Sequence, residues 1–400
     1  MKRCAVEEGN VRHMKIIQVT ASISQDDGGP STSIKALNRE FLRMGHDAVI
    51  ITSDSLGPSD GFQVRLGAPV EVDGCQVIFH HTSKYAPYKY ARTMRRTLER
   101  ELATADCVLV DGLYLPSTVT AFRAARRAET PFILQPHGTL DVYDRRKNSW
   151  IKSVFDLWIG RRIYSSSAAI VVTSDLERVD ALPSNQTFPI AVIPLGASLE
   201  ASQAVDNVDR WLAVPREARF VFLGRLARKK RPDLLIRSWA LSNSKVKGQL
   251  LVVGPDHEFT RQELESLADE LGVSESVTFL GGIGQREAAY VLRSAGVFVL
   301  PTERENFGIA LAEAMMAGCA ILTTDEAALS RTVNSAGAGL VLSSANTETL
   351  ARALDELIGE PAAVSEMGRA GGVAANRDLT WRASAEQFIE LIESVGVKNG

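Results

Sequence analysis

The stretch PTERENFGIALAEAMMAGCAIL, residues 301–322, carries more structural information than any other part of the chain. It predicts an apolar strand end, a loop with Glu305, and then a helix of Ile, Leu, Ala and Met that contains Glu313. An unpartnered carboxylate in so apolar a helix would cost several kcal/mol. Glu313 therefore needs a partner, either an arginine or backbone amide of the protein or a hydroxyl of a ligand. Its place just beyond a strand favours the ligand, because open α/β sheets bind ligands there.

Size and composition indicate a large globular protein. The chain has 400 residues, 45% of them apolar, which is enough for two domains. A net charge of −3 gives no nucleic-acid signature. The 4 cysteines form no C-x-x-C pair, and Cys75, Cys107 and Cys319, which lie in or beside apolar runs, are expected to be buried thiols of a cytoplasmic protein. No apolar run approaches the ~18 residues of a membrane span. Residues 1–13 are polar and are expected to be a disordered leader, and whether they belong to the native protein stays open.

Apolar, β-branched runs alternate with helical periodicity along both halves of the chain. In the first half, strands are expected near residues 15–20, 48–52, 76–80, 107–110, 132–135, 169–173 and 191–193. In the second half, they are expected near residues 220–223, 250–253, 277–280, 297–300, 320–323 and 339–342. Such strands, joined by helices, are typical of parallel sheets covered on both faces. The fold class is thus α/β, with two Rossmann-like domains.

A polar stretch before Trp211 suggests the domain boundary. The expected domains are residues 14–198 and residues 205–378. The last helix, within residues 379–396, follows a long final segment and is expected to pack back on the first domain.

Two loops carry the residue types that bind phosphate. Gly28-Gly29-Pro30 follows the first strand and opens a helix, where small residues and free amides suit an anion. Gly224 and Arg225 end the first strand of the second half, with Lys230 five residues after Arg225. Arginine and lysine together can hold a diphosphate. The alternatives are an ordinary turn for the first loop and a solvated basic loop for the second.

His137, in the segment QPHGTLD, also follows a predicted strand. A histidine there suits hydrogen bonding to a phosphate or a sugar hydroxyl, and a structural histidine is the alternative. The sequence lacks an Asp-x-Asp metal clamp and a G-x-x-x-x-G-K phosphate loop. No metal site is expected, so the charge of a leaving diphosphate has to be neutralised by Arg, Lys and helix ends.

These segments together resemble one family. ENFGIALAEAMMAGCAIL is similar to the Glu-x7-Glu element of retaining, nucleotide-sugar-dependent glycosyltransferases with the GT-B fold, the group 1 or family 4 type. GRLARKKRPDLLI, PHGTLD, IPLGAS, LVVGP, VFVLPT and LTWRASAEQFIELIES are similar to further segments of that family. The matches run in order over roughly residues 15–395. The resemblance implies two domains that face each other across a cleft, with the acceptor on the first and the donor on the second.

The resemblance also implies roles for single residues. Glu305 would hold hydroxyls of the donor sugar, Glu313 the ribose, and Arg225 and Lys230 the diphosphate. Other donor contacts would come from His137, Gly28, Gly29, Asn306, Phe307 and Gly308. Two positions depart from the family pattern. Arg231 stands where a glycine is frequent, and Asn306 replaces another glycine, although Asn tolerates left-handed backbone angles.

The implied reaction moves a sugar from a UDP- or GDP-linked donor to an acceptor hydroxyl, with retention and without a cofactor. A surface polysaccharide or a glycolipid intermediate is the implied product. The alternatives are a nucleotide-sugar epimerase or a phosphorylase on the same fold, and a non-catalytic protein that binds sugar nucleotides. The donor base and sugar, the acceptor and linkage, and the oligomeric state cannot be read from the sequence.

A basic segment, residues 84–100, offers a further surface. Six basic residues are interleaved there with tyrosines and with Met94 and Leu98. On a helix, Arg92, Arg95, Arg96 and Arg100 share one face. This is either a solvated face over an apolar stripe or a peripheral contact with an anionic membrane, where each basic residue contributes ~1 kcal/mol.

Overall fold

The structure is a computed structural model that describes residues 12–24, 29–54, 66–82, 91–137, 139, 149–181 and 189–396. Most of the predicted leader lies outside these residues. Contacts divide the chain into two compact units. The first unit comprises Met1–Val172, Asp180–Ala191 and Ala385–Gly400, and the second comprises Thr173–Val179 and Val192–Ser384.

The first unit is built on one sheet. Over the described residues its strand order is β3-β4-β2-β1-β5-β6-β7-β8. The strands are β1 Lys15–Val19, β2 Asp47–Ser53, β3 Pro69–Val72, β4 Cys75–His80, β5 Cys107–Asp111, β6 Phe132–Gln135, β7 Ala169–Val172 and β8 Ile190–Val192. Its main helices are α1 Gly29–Arg43, α2 Met94–Leu102, α3 Pro116–Ala128, α4 Ser149–Phe155, which continues into a π-helical turn at Asp156–Gly160, and α5 Arg161–Ser166. Helix α6 Asp175–Ala181 follows, and its residues up to Val179 group with the second unit.

Strand β3 was not predicted, and it makes the edge of this sheet antiparallel. It pairs with β4, with Val72 opposite Cys75. The two residues between them, Asp73 and Gly74, have φ values of 52° and 73°. Such left-handed pairs form the tight turns of β-hairpins. The sequence PVEV is too short and too polar to stand out as a strand.

The second unit contains a parallel sheet with the order β11-β10-β9-β12-β13-β14 within the described residues. Its strands are β9 Arg219–Leu223, β10 Gln249–Val253, β11 Val277–Leu280, β12 Val297–Leu300, β13 Ala320–Thr324 and β14 Gly339–Leu342. Its helices are α7 Asp209–Leu212, α8 Pro232–Leu241, α9 Ser244–Lys247, α10 Arg261–Glu270, α11 Gln285–Ser294, α12 Ile309–Met316, α13 Ser330–Ala336, α14 Thr347–Gly359 and α15 Pro361–Asp378. The α/β class with parallel sheets is confirmed.

Helix α15 was also missed, because its glycines lower helix propensity. They serve packing instead. A Cβ on Gly368 would lie 2.2 Å from the carbonyl oxygen of Gly318, so only glycine lets the helix approach the end of α12. The final helix, α16 Trp381–Ser394, follows. From Ala385 onward it groups with the first unit, and Phe388 packs edge-on against Phe41 of α1 at 6.4 Å.

Each sheet has one point where the strand order reverses. In the second unit β9 lies between β10 and β12, so the chain moves in opposite directions from that point. In the first unit β1 lies between β2 and β5 in the same way. The carboxyl ends of such strand pairs border the crevice in which doubly wound sheets bind ligands. The segments after β9 and β12, and after β1 and β5, are therefore the candidate site segments.

Candidate functional site

The reversal point of the second unit brings a lysine and a glutamate together. Lys230 Nζ lies 3.4 Å from Glu305 Oε2, and both side chains are 12% exposed. Lys230 comes from the loop after β9, and Glu305 from the loop after β12. Glu305 Oε2 is buried and makes no hydrogen bond to any described residue. A carboxylate oxygen and an ammonium group thus keep hydrogen-bonding capacity for a ligand.

The loop that carries Glu305 is fixed by its backbone. The Glu305 amide donates to the Glu326 carbonyl at 3.1 Å, and the Ala328 amide donates to the Glu305 carbonyl at 3.0 Å. On the other side, Thr302 Oγ1 donates to the Lys229 carbonyl at 3.0 Å. The loop therefore tethers to both neighbouring segments, so the Lys230–Glu305 geometry is preorganised.

Glycines make room for these two side chains. A Cβ on Gly224 would lie 3.0 Å from Lys230 Nζ, and one on Gly308 would lie 3.2 Å from Glu305 Cγ. Gly308 has φ 78° and is the N-cap of α12, without a side-chain cap. The first amides of a helix have no intrahelical acceptor. This helix end, which includes the predicted residues Asn306 and Phe307, therefore offers free donors beside Glu305.

Glu313 lies one turn into α12 and is half-buried. Burial raises the pKa of its carboxyl from 4.5 to about 7. No described residue forms an ion pair or a side-chain hydrogen bond with it. The described part of the chain therefore provides no side-chain partner for the Glu313 carboxyl.

This raised pKa predicts a pH-dependent stability. Between about pH 4.5 and about pH 7 the unfolded carboxyl is ionised while the folded one is still protonated, so the nucleotide-free protein loses stability as pH rises through this window. Urea unfolding of the wild type and of Glu313→Gln across this range measures the effect. The variant is expected to lack that part of the slope. An identical slope in both proteins would show that Glu313 is not the group that titrates.

Arg225 is exposed, and its Nη1 lies 3.4 Å from His257 Nε2 in the loop after β10. His257 was not singled out from the sequence. The sequence feature that could have identified His257 is its position in the segment PDHE, residues 255–258, which follows the predicted strand at residues 250–253.

The two departures from the family pattern have different structural meanings. Arg231 has φ 54°, the left-handed conformation that favours glycine, and its guanidinium pairs with Glu303. Asn306 does not have a positive φ, whereas Arg304, with φ 54°, and Gly308 do. The tolerance of Asn for left-handed angles is therefore not needed at position 306.

In the first unit, His137 lies beyond β6 with φ 50°, and its Nε2 is hydrogen-bonded to Asp111 Oδ1. Asp111 is the last residue of β5, and its Oδ2 is buried without a hydrogen bond to a described residue. Asp111 was not predicted as a site residue. The sequence feature that could have identified it is its position as the acidic last residue of the apolar run CVLVD. Gly28 lies outside the described residues, and Gly29 begins α1.

The basic segment is described from residue 91 onward, so Lys84 and Lys89 lie outside the described residues. Met94 and Leu98 are buried in α2, while Arg92, Arg95, Arg96 and Arg100 are exposed. Arg95 pairs with Glu99 at 2.9 Å, and Arg100 with Glu101 at 3.0 Å. The predicted division into a basic and an apolar face is present in the helix.

The described residues show neither a metal-binding cluster nor a membrane-spanning helix. They contain no group of three or more His, Cys, Asp and Glu side chains placed to hold a metal ion. None of the helices in the described ranges is both long and apolar enough to cross a bilayer.

The chain thus combines two α/β units, of which the second has lysine and glutamate side chains at its reversal point, and comparisons with known proteins identify the family. Residues 207–372 match the model of glycosyl transferases group 1, and residues 28–196 match that of the glycosyl transferase 4-like domain. These two matches together span most of the chain, which belongs to the group 1 glycosyltransferase family and has the GT-B fold.

Curated relatives are D-inositol 3-phosphate glycosyltransferases. That of Corynebacterium urealyticum is 27% identical over 59% of this chain and 58% of its own length. That of Nocardia farcinica is 32% identical over 50% of this chain and 46% of its own length. The matched part thus spans only about half of these relatives.

Solved structures support the fold over nearly the whole chain. Sucrose-phosphate synthase from Thermosynechococcus elongatus superimposes with a TM-score of 0.72 at 21% identity, over 96% of this chain and 99% of that one. Anabaena Alr3699/HepE in complex with UDP and glucose gives a TM-score of 0.70 at 15% identity, over 96% and 100%.

Proposed function

We propose that the protein is a retaining glycosyltransferase that moves a sugar from a nucleoside diphosphate, UDP or GDP, to an acceptor hydroxyl. The observation that carries the proposal is the second unit's reversal point. It combines the Lys230–Glu305 pair with Glu313, a carboxylate of raised pKa that has no partner among the described residues. A bound diphosphate, sugar and ribose would provide hydrogen-bond and charge partners for Lys230, Glu305 and Glu313, respectively.

Each group has a role that follows from its chemistry. Lys230 and Arg225 bind the diphosphate, because cations and oriented donors stabilise the charge that develops on a leaving phosphate. Glu305 accepts hydrogen bonds from donor-sugar hydroxyls, and Glu313 accepts them from the ribose. The amides at the start of α12 add donors beside the sugar. His137, held by Asp111, contacts the donor sugar or its phosphate.

Retention follows a front-face route in this proposal. The bond between the anomeric carbon and the diphosphate oxygen breaks, and the acceptor oxygen bonds to that carbon on the same face. The acceptor proton passes to the departing phosphate oxygen, so the products are the glycoside and the nucleoside diphosphate. The protein contributes mainly position and charge stabilisation.

The substrate classes have outside support. Anabaena Alr3699/HepE has been solved with UDP, with UDP-glucose, and with UDP and glucose. The curated relatives are named as glycosyltransferases of D-inositol 3-phosphate. For this chain we propose a polysaccharide or glycolipid acceptor, a cytoplasmic location, and peripheral contact with an anionic membrane through residues 84–100.

A thermal-shift panel tests the proposal. UDP, GDP and ADP are compared first, and then the sugar conjugates of the nucleotide that binds. One nucleotide at ~100 times its dissociation constant is expected to add about 2.7 kcal/mol of stability. No shift with any of them would refute the donor assignment. Binding without transfer would identify a sensor, and isomerisation of the donor without an acceptor would identify an epimerase.

The proposal also predicts activity without a divalent metal. Positive side chains and helix amides neutralise the leaving diphosphate in this account, so turnover is expected to be unchanged after treatment with EDTA. Initial rates before and after chelation, with a metal-dependent glycosyltransferase treated in parallel, give the measurement. Loss of activity on chelation and its return with Mg²⁺ or Mn²⁺ would contradict this account.

A further inference from the structure

Four large apolar side chains lie exposed on one face of the first unit. Trp150 is 71% exposed, Val154 50%, Leu157 70% and Trp158 81%. They belong to α4 and the π-helical turn that continues it. Their spacing of four, seven and eight residues from Trp150 places them on one side of a helix. We call these four residues the apolar stripe.

The opposite side of the same segment is anchored to the unit. Phe155 packs against the ring of Tyr114 at 5.1 Å, and the Tyr164 hydroxyl donates to Asp156 Oδ1 at 3.2 Å. Gly160 is buried, and a Cβ there would lie 2.5 Å from Asp156 Oδ1. The Phe155–Tyr114 contact holds the segment on the unit, the Asp156 contacts lie within the helical segment itself, and the exposed fractions show that the apolar stripe faces outward.

The exposure of Trp150 and Trp158 is unusual among the tryptophans of this chain. The chain has 5 tryptophans, and Trp211, Trp239 and Trp381 are buried in the second unit at 0%, 0% and 7% exposure. Monomeric proteins rarely expose clustered large apolar groups, and such clusters mark interaction surfaces. Tryptophan in particular favours the boundary between a bilayer and water, where its ring is apolar and its N–H stays hydrated.

Positive charge borders the stripe. Arg161 and Arg162 follow it directly, are exposed, and pair with no acid of the described residues. Right-handed crossovers place α2, α3 and the α4–α5 segment on the same side of the first sheet. Helix α3 adds the exposed Arg123, Arg126 and Arg127 to the arginines of α2. The apolar stripe thus belongs to a segment on the same side of the sheet as two helices rich in exposed arginine.

We propose that the apolar stripe inserts into the interfacial layer of an anionic lipid bilayer, with Arg161 and Arg162 on the lipid headgroups. An amphipathic helix with Trp and Leu on one side and arginines at its border has the chemistry of an interfacial anchor. A second copy of the chain is disfavoured as the occupant, because it would bring two arginine borders together. The inference rests on the membrane contact in the proposed function and deepens it, because it adds a second, apolar surface outside residues 84–100, and it does not require transfer of a sugar.

Vesicle flotation and tryptophan fluorescence test the anchor. Vesicles of phosphatidylglycerol with phosphatidylcholine are compared with vesicles of phosphatidylcholine alone. The wild type is expected to float with the anionic vesicles and to remain partly bound at high salt, because burial of apolar groups is not screened by salt. Brominated acyl chains are expected to quench the fluorescence of Trp150 and Trp158. The emission that remains is then expected to be that of the three buried tryptophans.

A matched pair of double variants distinguishes membrane binding by the apolar stripe from nonspecific binding by other exposed apolar side chains. Trp150→Ser with Trp158→Ser is expected to lower the partition coefficient at least about tenfold, which corresponds to about 1.4 kcal/mol. The control, Val246→Ser with Val373→Ser, removes exposed apolar groups of the second unit, at 79% and 63% exposure, and is expected to bind as the wild type does. Melting curves confirm that all variants fold.

Two results would overturn the proposal. One is equal flotation of the tryptophan variant and the wild type, and the other is a concentration-dependent dimer that the tryptophan substitutions abolish, which would assign the stripe to a second copy. The nucleotide thermal shift, measured on the same samples, is expected to be unaffected by these substitutions. Failure of that shift in the wild type would count against the proposed donor and leave the membrane anchor standing.

Discussion

Replacement of Lys230 by alanine is expected to lower turnover roughly a hundred- to a thousand-fold, the usual effect of removing one preorganised donor to developing charge. The Lys230 ammonium is mostly buried, lies 3.4 Å from Glu305, and comes from a loop tied to its neighbour by Thr302. In the proposed reaction it faces the departing diphosphate. No other described lysine is paired with Glu305, so little of the lost stabilisation can be recovered.

Lys229→Ala is the matched control for this measurement. Lys229 holds the Glu305 loop through its carbonyl oxygen, which alanine keeps, and its ammonium has no partner among the described residues. Its turnover is expected to stay within a few-fold of the wild type. Steady-state rates of folded variants give the comparison. Equal losses in the two variants would mean that the loop's charge as a whole matters, and not the Lys230 position.

Glu305→Gln is expected to reduce kcat/KM by a similar factor, roughly a hundred- to a thousand-fold. The substitution keeps the shape of the side chain, but it removes the charge opposite Lys230 and one of two strong acceptors for sugar hydroxyls. Affinity for the free nucleoside diphosphate is expected to change little, because Glu305 is assigned to the sugar. Kinetics with the sugar donor and calorimetry with the nucleotide separate the two effects.

Glu303→Gln serves as the control, since Glu303 is a nearby exposed carboxylate that pairs with Arg231. It is expected to leave kcat/KM close to the wild-type value. If Glu305→Gln instead weakened nucleotide binding as strongly as it weakened turnover, the assignment of Glu305 to the sugar would be wrong.

Much of the second unit was predictable because its signals are local. The alternation of buried strands with helices gives the parallel sheet, and strand ends give Arg225, Lys230, Glu305 and Glu313. That Lys230 meets Glu305 follows from topology, because both segments leave the sheet at the same edge where β9 adjoins β12.

The features that were missed depend on tertiary contacts. Asp111 reaches His137 only because β5 and β6 pair with Asp111 opposite Gln135. Helix α15 overrides the low helix propensity of its glycines through close packing at Gly318. The apolar stripe has a helical spacing in the sequence, but only burial shows that its face points outward, since the same spacing is typical of a core helix.

In the proposed function, the second unit binds a nucleoside diphosphate through Glu313. Titration calorimetry of the best-binding nucleotide with the wild type, Glu313→Ala and the control Glu270→Ala, an exposed carboxylate at the end of α10, tests it most directly. We predict that Glu313→Ala folds, as circular dichroism would show, and binds the nucleotide at least about tenfold more weakly, a loss of about 1.4 kcal/mol, while Glu270→Ala binds normally. A nucleotide-free Glu313→Ala that is unfolded, or one that binds with wild-type affinity, would show that Glu313 serves the fold and not the ligand.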